Sequence, residues 1–181
     1  MTPPIYTFGI PPAMNYAALG AMVAREYTRG FDWGGSWIDG VGEVDNWWSN
    51  TTTENYKRIG LCFASQLRKL HNSATEILGF LPDVIAESSG LRVAYFAYMT
   101  EVLEARKIET LYTANNMSNL QLFFASYCFR LCENAETARQ RWKDTAEILC
   151  NVAVMNMLEF AESFDCSARD SMNSDRRCRI W

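Results

Sequence analysis

The chain has 181 residues and a formal net charge of −4, with 49% hydrophobic and 21% charged residues. This length and balance are those of a folded protein with a core of its own. The acidic balance argues against a nucleic-acid-binding surface. The sequence contains no run of about 18 uninterrupted apolar residues, so no membrane-spanning helix is predicted.

Taken in chain order, the predicted elements are mostly helices. Residues 1–14 are rich in proline and predict irregular structure, and residues 15–30 predict a helix that ends at Gly30. The next segment, residues 31–46, is rich in glycine and predicts a turn-rich loop. Further helices are predicted over residues 47–70, 83–107, 118–131, 135–157 and 158–164. Pro82 is expected to start the helix over residues 83–107, since proline is favoured at the first helical position.

Cysteine usage points to an oxidising compartment. The chain has six cysteines, one histidine and no C-x-x-C pair, so a zinc ribbon is not predicted. An even number of cysteines predicts disulfides and therefore an extracellular or lumenal protein, and N-glycosylation sequons at Asn50 and Asn116 agree with this. Residues 1–6 lack the basic and apolar regions of a secretory signal. We therefore expect the chain to be a fragment.

Four segments carry a joint resemblance to one family. Residues 12–20 read P-x-x-N-Y-x-x-x-G and are followed at 25–32 by R-E-Y-T-R-G-F-D; residues 46–51 read N-W-W-S-N-T; residues 83–91 read D-V-I-A-E-S-S-G-L; and the C-terminal part contains Q-L-F-F, E-F-A-E-x-F-x-C and the final C-R-I-W. In the same order, the neprilysin and endothelin-converting-enzyme family of zinc metallopeptidases has N-Y-x-x-x-G, H-E-x-x-H-x-F-D, W-W-[ST]-N, E-N-I-A-D-x-G-G-L and C-x-V-W. The chain resembles this family over nearly its whole length.

The resemblance implies a fold and a location. The expected fold is mainly α, a thermolysin-like C-terminal lobe of long packed helices with one Gly-rich loop. Residues 1–181 would form a single partial domain that reaches the family's C-terminus and lacks its N-terminal lobe. The family's members also imply an extracellular protein or a membrane-associated ectodomain.

The resemblance also assigns positions to the zinc chemistry. In the family, two histidines four residues apart and a glutamate from a second helix bind zinc, and a glutamate between the histidines acts as general base. Arg25 and Arg29 stand at the histidine positions, Asp83 at the third ligand, Glu26 at the general base and Glu87 at the aspartate that orients a ligand histidine. A guanidinium has no lone pair to donate. It also repels a dication, since two unit charges about 4 Å apart interact by roughly 4 kcal/mol at an effective dielectric constant near 20.

From these replacements we expect a catalytically inactive chain and no cofactor, although the family uses zinc. Our hypothesis is a charge exchange, in which Arg25 and Arg29 replace the metal's positive charge among Glu26, Asp83 and Glu87. The family's later catalytic histidine and arginine fall near residues 143 and 149, a lysine and a leucine. The only histidine, at position 71, lies in a predicted connector, where a surface or capping role is expected.

Disulfide pairing is implied in part by the resemblance. In the family, the cysteines that correspond to Cys62 and Cys178 pair with each other. Those that correspond to Cys132 and Cys166 pair with the lobe that this chain lacks. The two remaining cysteines, at positions 128 and 150, are not family positions, and they either form new bridges or remain buried thiols.

Three functions stay open at this point. The first is a non-catalytic neprilysin-like homologue, and the second is an active zinc metalloendopeptidase. The third is an interaction module that binds peptides or a partner protein through an exposed lobe interface rich in aromatic residues. No nucleic acid is expected as a partner.

Overall fold

The computed structural model describes residues 4–70, 74–105, 116–132 and 145–179. These residues form helices and loops without a β-strand, which confirms the mainly α class for the described part of the chain. In chain order the elements are α1 (Pro12–Asn15), a π-helical turn (Tyr16–Gly20), α2 (Ala21–Arg29), a 3₁₀ turn (Gly35–Trp37), α3 (Asn50–Leu70), α4 (Ala74–Ala105), α5 (Asn119–Phe129), α6 (Thr145–Met155) and α7 (Leu158–Ser163). Among these helices, none is both long enough and apolar enough to cross a membrane.

The glycine-rich segment after α2 is a loop, as predicted. The Asp32 carboxylate accepts a hydrogen bond from the backbone N–H of Gly35 at 2.9 Å, and the Trp47 indole donates to the Gly35 carbonyl at 3.0 Å. A Cβ at Gly35 would lie 2.3 Å from the Gly30 carbonyl oxygen, so only glycine fits this close turn. The loop therefore folds back on the end of α2.

The start of α4 differs from the prediction. We expected Pro82 to begin the helix, but the helix begins at Ala74 and contains Pro82. An internal proline removes one helical hydrogen bond and costs about 3 kcal/mol. Phe80 and Leu81, just before the proline, pack against a buried apolar cluster, and this packing offsets the lost bond.

Two apolar clusters form the core. The larger joins the N-terminal helices to α4, α5 and the segment around α6, and its largest fully buried members are Tyr98, Phe123, Phe124 and Tyr127. The second joins α3, α4 and α6 and contains Phe63, Leu67 and Val152. Helix α4 belongs to both clusters, so it is the element on which the others are arranged.

Helices α2 and α4 approach each other closely at Gly90. A Cβ at this position would lie 2.6 Å from the Arg25 backbone nitrogen and 2.9 Å from the Ala21 carbonyl oxygen. Such distances are not tolerated between real atoms, so the two backbones meet only because residue 90 is glycine. The approach places the two turns of α4 that precede Gly90 directly against α2.

We predict that Gly90→Ala destabilises the protein by about 1–3 kcal/mol, the usual cost of overpacking a filled interior. The measurement is the free energy of unfolding from urea titration. Gly79→Ala is the matched control, because it lies in the same helix with no atom within 4 Å of an added Cβ. Alanine there should be neutral or stabilising by about 0.5–1 kcal/mol. An equal loss in both variants would contradict the role of the close approach.

Candidate active site

The residues singled out from the sequence come together between α2 and α4. Helix α2 supplies Arg25, Glu26 and Arg29, and α4 supplies Asp83 and Glu87. Residues four apart lie on one face of a helix, so the two arginines face the two α4 carboxylates. The Thr28 hydroxyl donates to the Arg25 carbonyl at 2.8 Å and lies 3.4 Å from the Ala86 carbonyl oxygen, which adds a polar link between the helices.

Both arginines contact Asp83. The Arg29 guanidinium forms an ion pair with Oδ1 of Asp83, and Nη2 of Arg25 lies 3.0 Å from the same oxygen. Arg25 also pairs with Glu26, and its Nε lies 3.1 Å from Oε1 of Glu87, without the alignment of a hydrogen bond. The contacts are those that the charge-exchange hypothesis requires.

Glu87 is the buried centre of this cluster, with 3% of its surface exposed. Its Oε2 accepts a hydrogen bond from the Tyr127 hydroxyl at 3.0 Å and pairs with the guanidinium of Arg130. The Arg130 guanidinium also lies over the Tyr127 ring, 4.7 Å from its centroid. Glu87 thus joins α4 to α2 and to the end of α5.

Tyr127 and Arg130 were missed in the sequence analysis. Their spacing of three residues at the end of a predicted helix was a usable signal, because it puts both on one helical face. A buried carboxylate needs a donor or a cation beside it, but the sequence does not show which helix supplies one. Helix α5 begins at a capping box formed by Ser118 and Gln121, and the Gln121 amide also donates to the Ser163 carbonyl at 2.8 Å.

The cluster is electrically balanced and unevenly exposed. Three guanidinium groups meet three carboxylates, those of Glu26, Asp83 and Glu87. The side chain of Glu26 is 58% exposed and that of Asp83 39%, whereas those of Glu87 and Arg130 are 4% and 7% exposed. Exposed ion pairs contribute little to stability, so the Glu87–Arg130 pair carries most of the electrostatic coupling.

Two tyrosines beside the cluster are held in the neutral form. Burial, followed by the negative charge of Glu87, raises the pKa of Tyr127 well above its usual value. Burial and the charge of Asp32 raise the pKa of Tyr56 to about 12. Tyr127 is therefore a hydrogen-bond donor to Glu87 throughout the physiological pH range.

The remaining sequence-based expectations have mixed outcomes. Leu149 packs against the second core cluster and offers no donor to a substrate. Lys143 and His71 lie outside the described residues. The structure joins Cys62 to Cys178 and Cys128 to Cys150, whereas the Cys132 and Cys166 thiols are free.

An open apolar groove of about 850 Å³ runs beside the ion-pair cluster, on another face of α2. Its walls come from the N-terminal segment, the π-helical turn, α2 and α4, and include Tyr16, Val23, Tyr27 and Val93. The side chains of Val23, Tyr27 and Val93 are 45%, 74% and 48% exposed. An apolar surface of this extent is typical of a site that another molecule or segment covers.

Comparison with known proteins identifies the relatives of the chain. The sequence model described as "Peptidase family M13" matches residues 1–180. Neprilysin-1 of Caenorhabditis elegans is 32% identical over 98% of this chain and 25% of its own length. Endothelin-converting enzyme 1 of Bos taurus is 29% identical over 98% of this chain and 24% of its own length.

The fold agrees with a solved structure. A zinc metalloprotease of Mycobacterium tuberculosis, in complex with an inhibitor, superimposes with a TM-score of 0.84 at 24% identity. The match covers 99% of this chain and 29% of that one. This chain spans about a quarter of the length of the curated relatives it matches.

The expectation that no cofactor is involved is wrong. The matched family and its relatives are zinc metallopeptidases, so zinc is the cofactor expected for its members. The expectation gave more weight to the side chains at positions 25 and 29 than to the cofactor that the family uses.

The side chains at the ligand positions do not match the donor set of a zinc site. Zinc binds imidazole, thiolate and carboxylate, whereas Arg25 and Arg29 present protonated guanidinium groups that are already paired with Asp83. Across the described ranges, no group of three or more His, Cys, Asp or Glu side chains could hold a metal ion.

We predict that Glu87→Gln lowers the free energy of unfolding by about 3–5 kcal/mol, because it leaves Arg130 buried without its counter-charge. Glutamine keeps the size of the side chain, so urea titration measures the effect of charge. The control is Glu26→Gln, which removes an exposed carboxylate and should change stability by less than about 1 kcal/mol. Similar losses in the two variants would refute the central role of Glu87.

The family match over residues 1–180, the curated relatives and the shared fold all agree. The chain belongs to peptidase family M13, the family of neprilysin and the endothelin-converting enzymes.

Proposed function

We propose that the chain is a neprilysin-like homologue without peptidase activity. The observation that carries this proposal is the contact of Arg25 and Arg29 with Asp83, at the positions that the family resemblance gives to the metal ligands. A guanidinium stays protonated at physiological pH and cannot donate a lone pair. The helix thus keeps its place in the fold while its side chains perform a different task.

The general-base position supports the same proposal. Glu26 is retained, but its carboxylate pairs with Arg25. This ion pair engages a carboxylate oxygen that a general base would use to accept a proton from water. Leu149, near the family's substrate-binding arginine position, is partly buried against the apolar core, and its side chain offers no hydrogen bond to a peptide.

Family membership favours a second candidate, an active zinc metalloendopeptidase. In this case Glu26 would retain the role of general base. The two candidates differ in one observable, the hydrolysis of a peptide bond that depends on Glu26.

We predict that the purified chain, assayed with added zinc, hydrolyses a panel of internally quenched fluorogenic peptides no faster than the Glu26→Gln variant does. Any rate common to both proteins reflects a contaminating protease, which makes the variant the matched control. A chelator-sensitive rate that is present in the wild-type chain and absent from Glu26→Gln would establish the active peptidase instead.

The groove beside the cluster supports a binding role for a chain without activity. Its lining is almost entirely apolar, and its volume of about 850 Å³ lies in the usual range of ligand sites. We propose that it takes peptides or a partner protein. The binding affinity of the same peptides for Glu26→Gln and the wild-type chain tests this role, and it should be equal for the two proteins.

We also propose an extracellular or ectodomain setting with N-linked glycans. Asn50 and Asn116 are exposed, and two disulfides are present among the described residues. We predict that the chain, expressed through a secretory pathway, loses mass on treatment with peptide-N-glycosidase. The double variant Asn50→Gln/Asn116→Gln should show no such loss, and a wild-type mass that treatment leaves unchanged would contradict the proposal.

A further inference from the structure

The glycine-rich loop after α2 contains a hairpin turn, residues 37–45, whose shape is fixed by hydrogen bonds. The backbone N–H of Asp39 donates to the Glu43 carbonyl at 3.0 Å. The Asp39 carboxylate accepts from the backbone N–H groups of Val41 and Glu43, at 2.9 and 2.8 Å. Gly42 has a φ of +89°, which favours glycine. The 37–45 hairpin therefore presents the side chains at its tip from a defined backbone.

The 37–45 hairpin exposes its apolar side chains instead of burying them. Val41 and Val44 are 83% and 80% exposed, and Trp37 and Ile38 are 45% and 48% exposed. One exposed apolar side chain is ordinary on a protein surface. Four of them within one hydrogen-bonded turn are typical of a surface that another molecule covers.

The same hairpin carries negative charge that no cation close in the sequence neutralises. Glu43 and Asp45 are exposed, and within the described part of the chain neither forms an ion pair. No Lys or Arg occurs between Arg29 and Lys57. Both of these cations are already paired with carboxylates outside the hairpin. The charge of the hairpin is therefore complementary to a positively charged partner.

We propose that the 37–45 hairpin binds a segment of a partner protein that combines Lys or Arg with apolar side chains. The cations of the partner pair with Glu43 and Asp45, and one of them lies over the exposed face of Trp37. Its apolar side chains cover Val41 and Val44 and remove them from water. None of residues 37–45 lines the apolar groove on α2, so the two surfaces bind independently.

Charge separates this partner from two other occupants of an apolar surface. A second copy of the chain, related by a two-fold axis, would bring the same carboxylates face to face, and like charges oppose such a contact. An anionic membrane repels Glu43 and Asp45, and their entry into the bilayer beside Val44 is costly. A basic, partly apolar segment satisfies both the charge and the apolar side chains of the hairpin.

The test titrates the purified chain into a fluorescein-labelled synthetic peptide of alternating arginine and valine and follows fluorescence anisotropy. We expect saturable binding at about 50 mM sodium chloride and an affinity at least about threefold lower at about 300 mM, because salt screens exposed charges. Two control peptides carry glutamate in place of arginine or serine in place of valine. Each should bind at least about fivefold more weakly, since each lacks one of the two complementary features.

Two double variants remove the two features of the surface separately. Glu43→Gln/Asp45→Asn should weaken binding of the arginine–valine peptide about fivefold, the effect of losing two exposed ion pairs. Val41→Ser/Val44→Ser should weaken it by about the same factor, because the apolar contact is lost. All four side chains are exposed, so both variants should keep the unfolding midpoint of the wild-type chain.

Two further variants serve as controls. Glu101→Gln/Glu162→Gln removes two exposed carboxylates elsewhere, with the same change in net charge, and should bind as the wild-type chain does. Val93→Ser, in the wall of the apolar groove, should also leave the affinity unchanged. No saturable binding, equal losses in the two carboxylate variants, or a loss confined to Val93→Ser would each overturn the proposal.

The other occupants are tested on the same proteins. Sedimentation with vesicles of phosphatidylcholine and phosphatidylserine measures membrane binding, and analytical ultracentrifugation measures self-association. We expect neither for the wild-type chain through this hairpin. Vesicle binding or a dimer that Val41→Ser/Val44→Ser abolishes would assign the surface to a membrane or a second copy and would contradict the proposal.

Discussion

The carboxylate of Glu87 is the group on which the arrangement of the helices depends. It lies at 3% exposure between three helices, and a buried charge is tolerated only when it is paired and hydrogen-bonded. Arg25 approaches it from α2, and Tyr127 and Arg130 approach it from α5 and its end. Each helix is therefore held in register with α4 by a polar requirement as well as by apolar packing.

The position of α2 in the fold and the chemistry of its side chains depend on different contacts. The backbone of α2 is fixed against α4 by the close approach at Gly90, which does not depend on the residues at positions 25 and 29. The two α4 carboxylates, Asp83 and Glu87, need positive charge beside them, and the guanidinium groups on α2 provide it. Backbone packing thus determines the fold here, whereas the chemistry of the site depends on a few side chains.

Much of the architecture could be predicted from the sequence, because helical periodicity and family motifs are local signals. That Arg25 and Arg29 face Asp83 and Glu87 could be predicted from their positions in the family motifs alone. Arg130 and Tyr127 could not be found in this way, because their partnership with Glu87 depends on how α5 packs. The start of α4 was placed too late at Pro82, since the apolar contacts of Phe80 and Leu81 are tertiary and leave no periodic signature.

The bridge between Cys62 and Cys178 joins residues 116 positions apart. It closes a covalent ring that contains all of α4, α5, α6 and α7, with part of α3. A single proteolytic cut anywhere inside this ring leaves the two pieces attached to each other, since the path through the sulfur atoms remains. The helices that hold Glu87 would then stay at a high effective concentration relative to one another, so a nicked molecule would keep its assembled form.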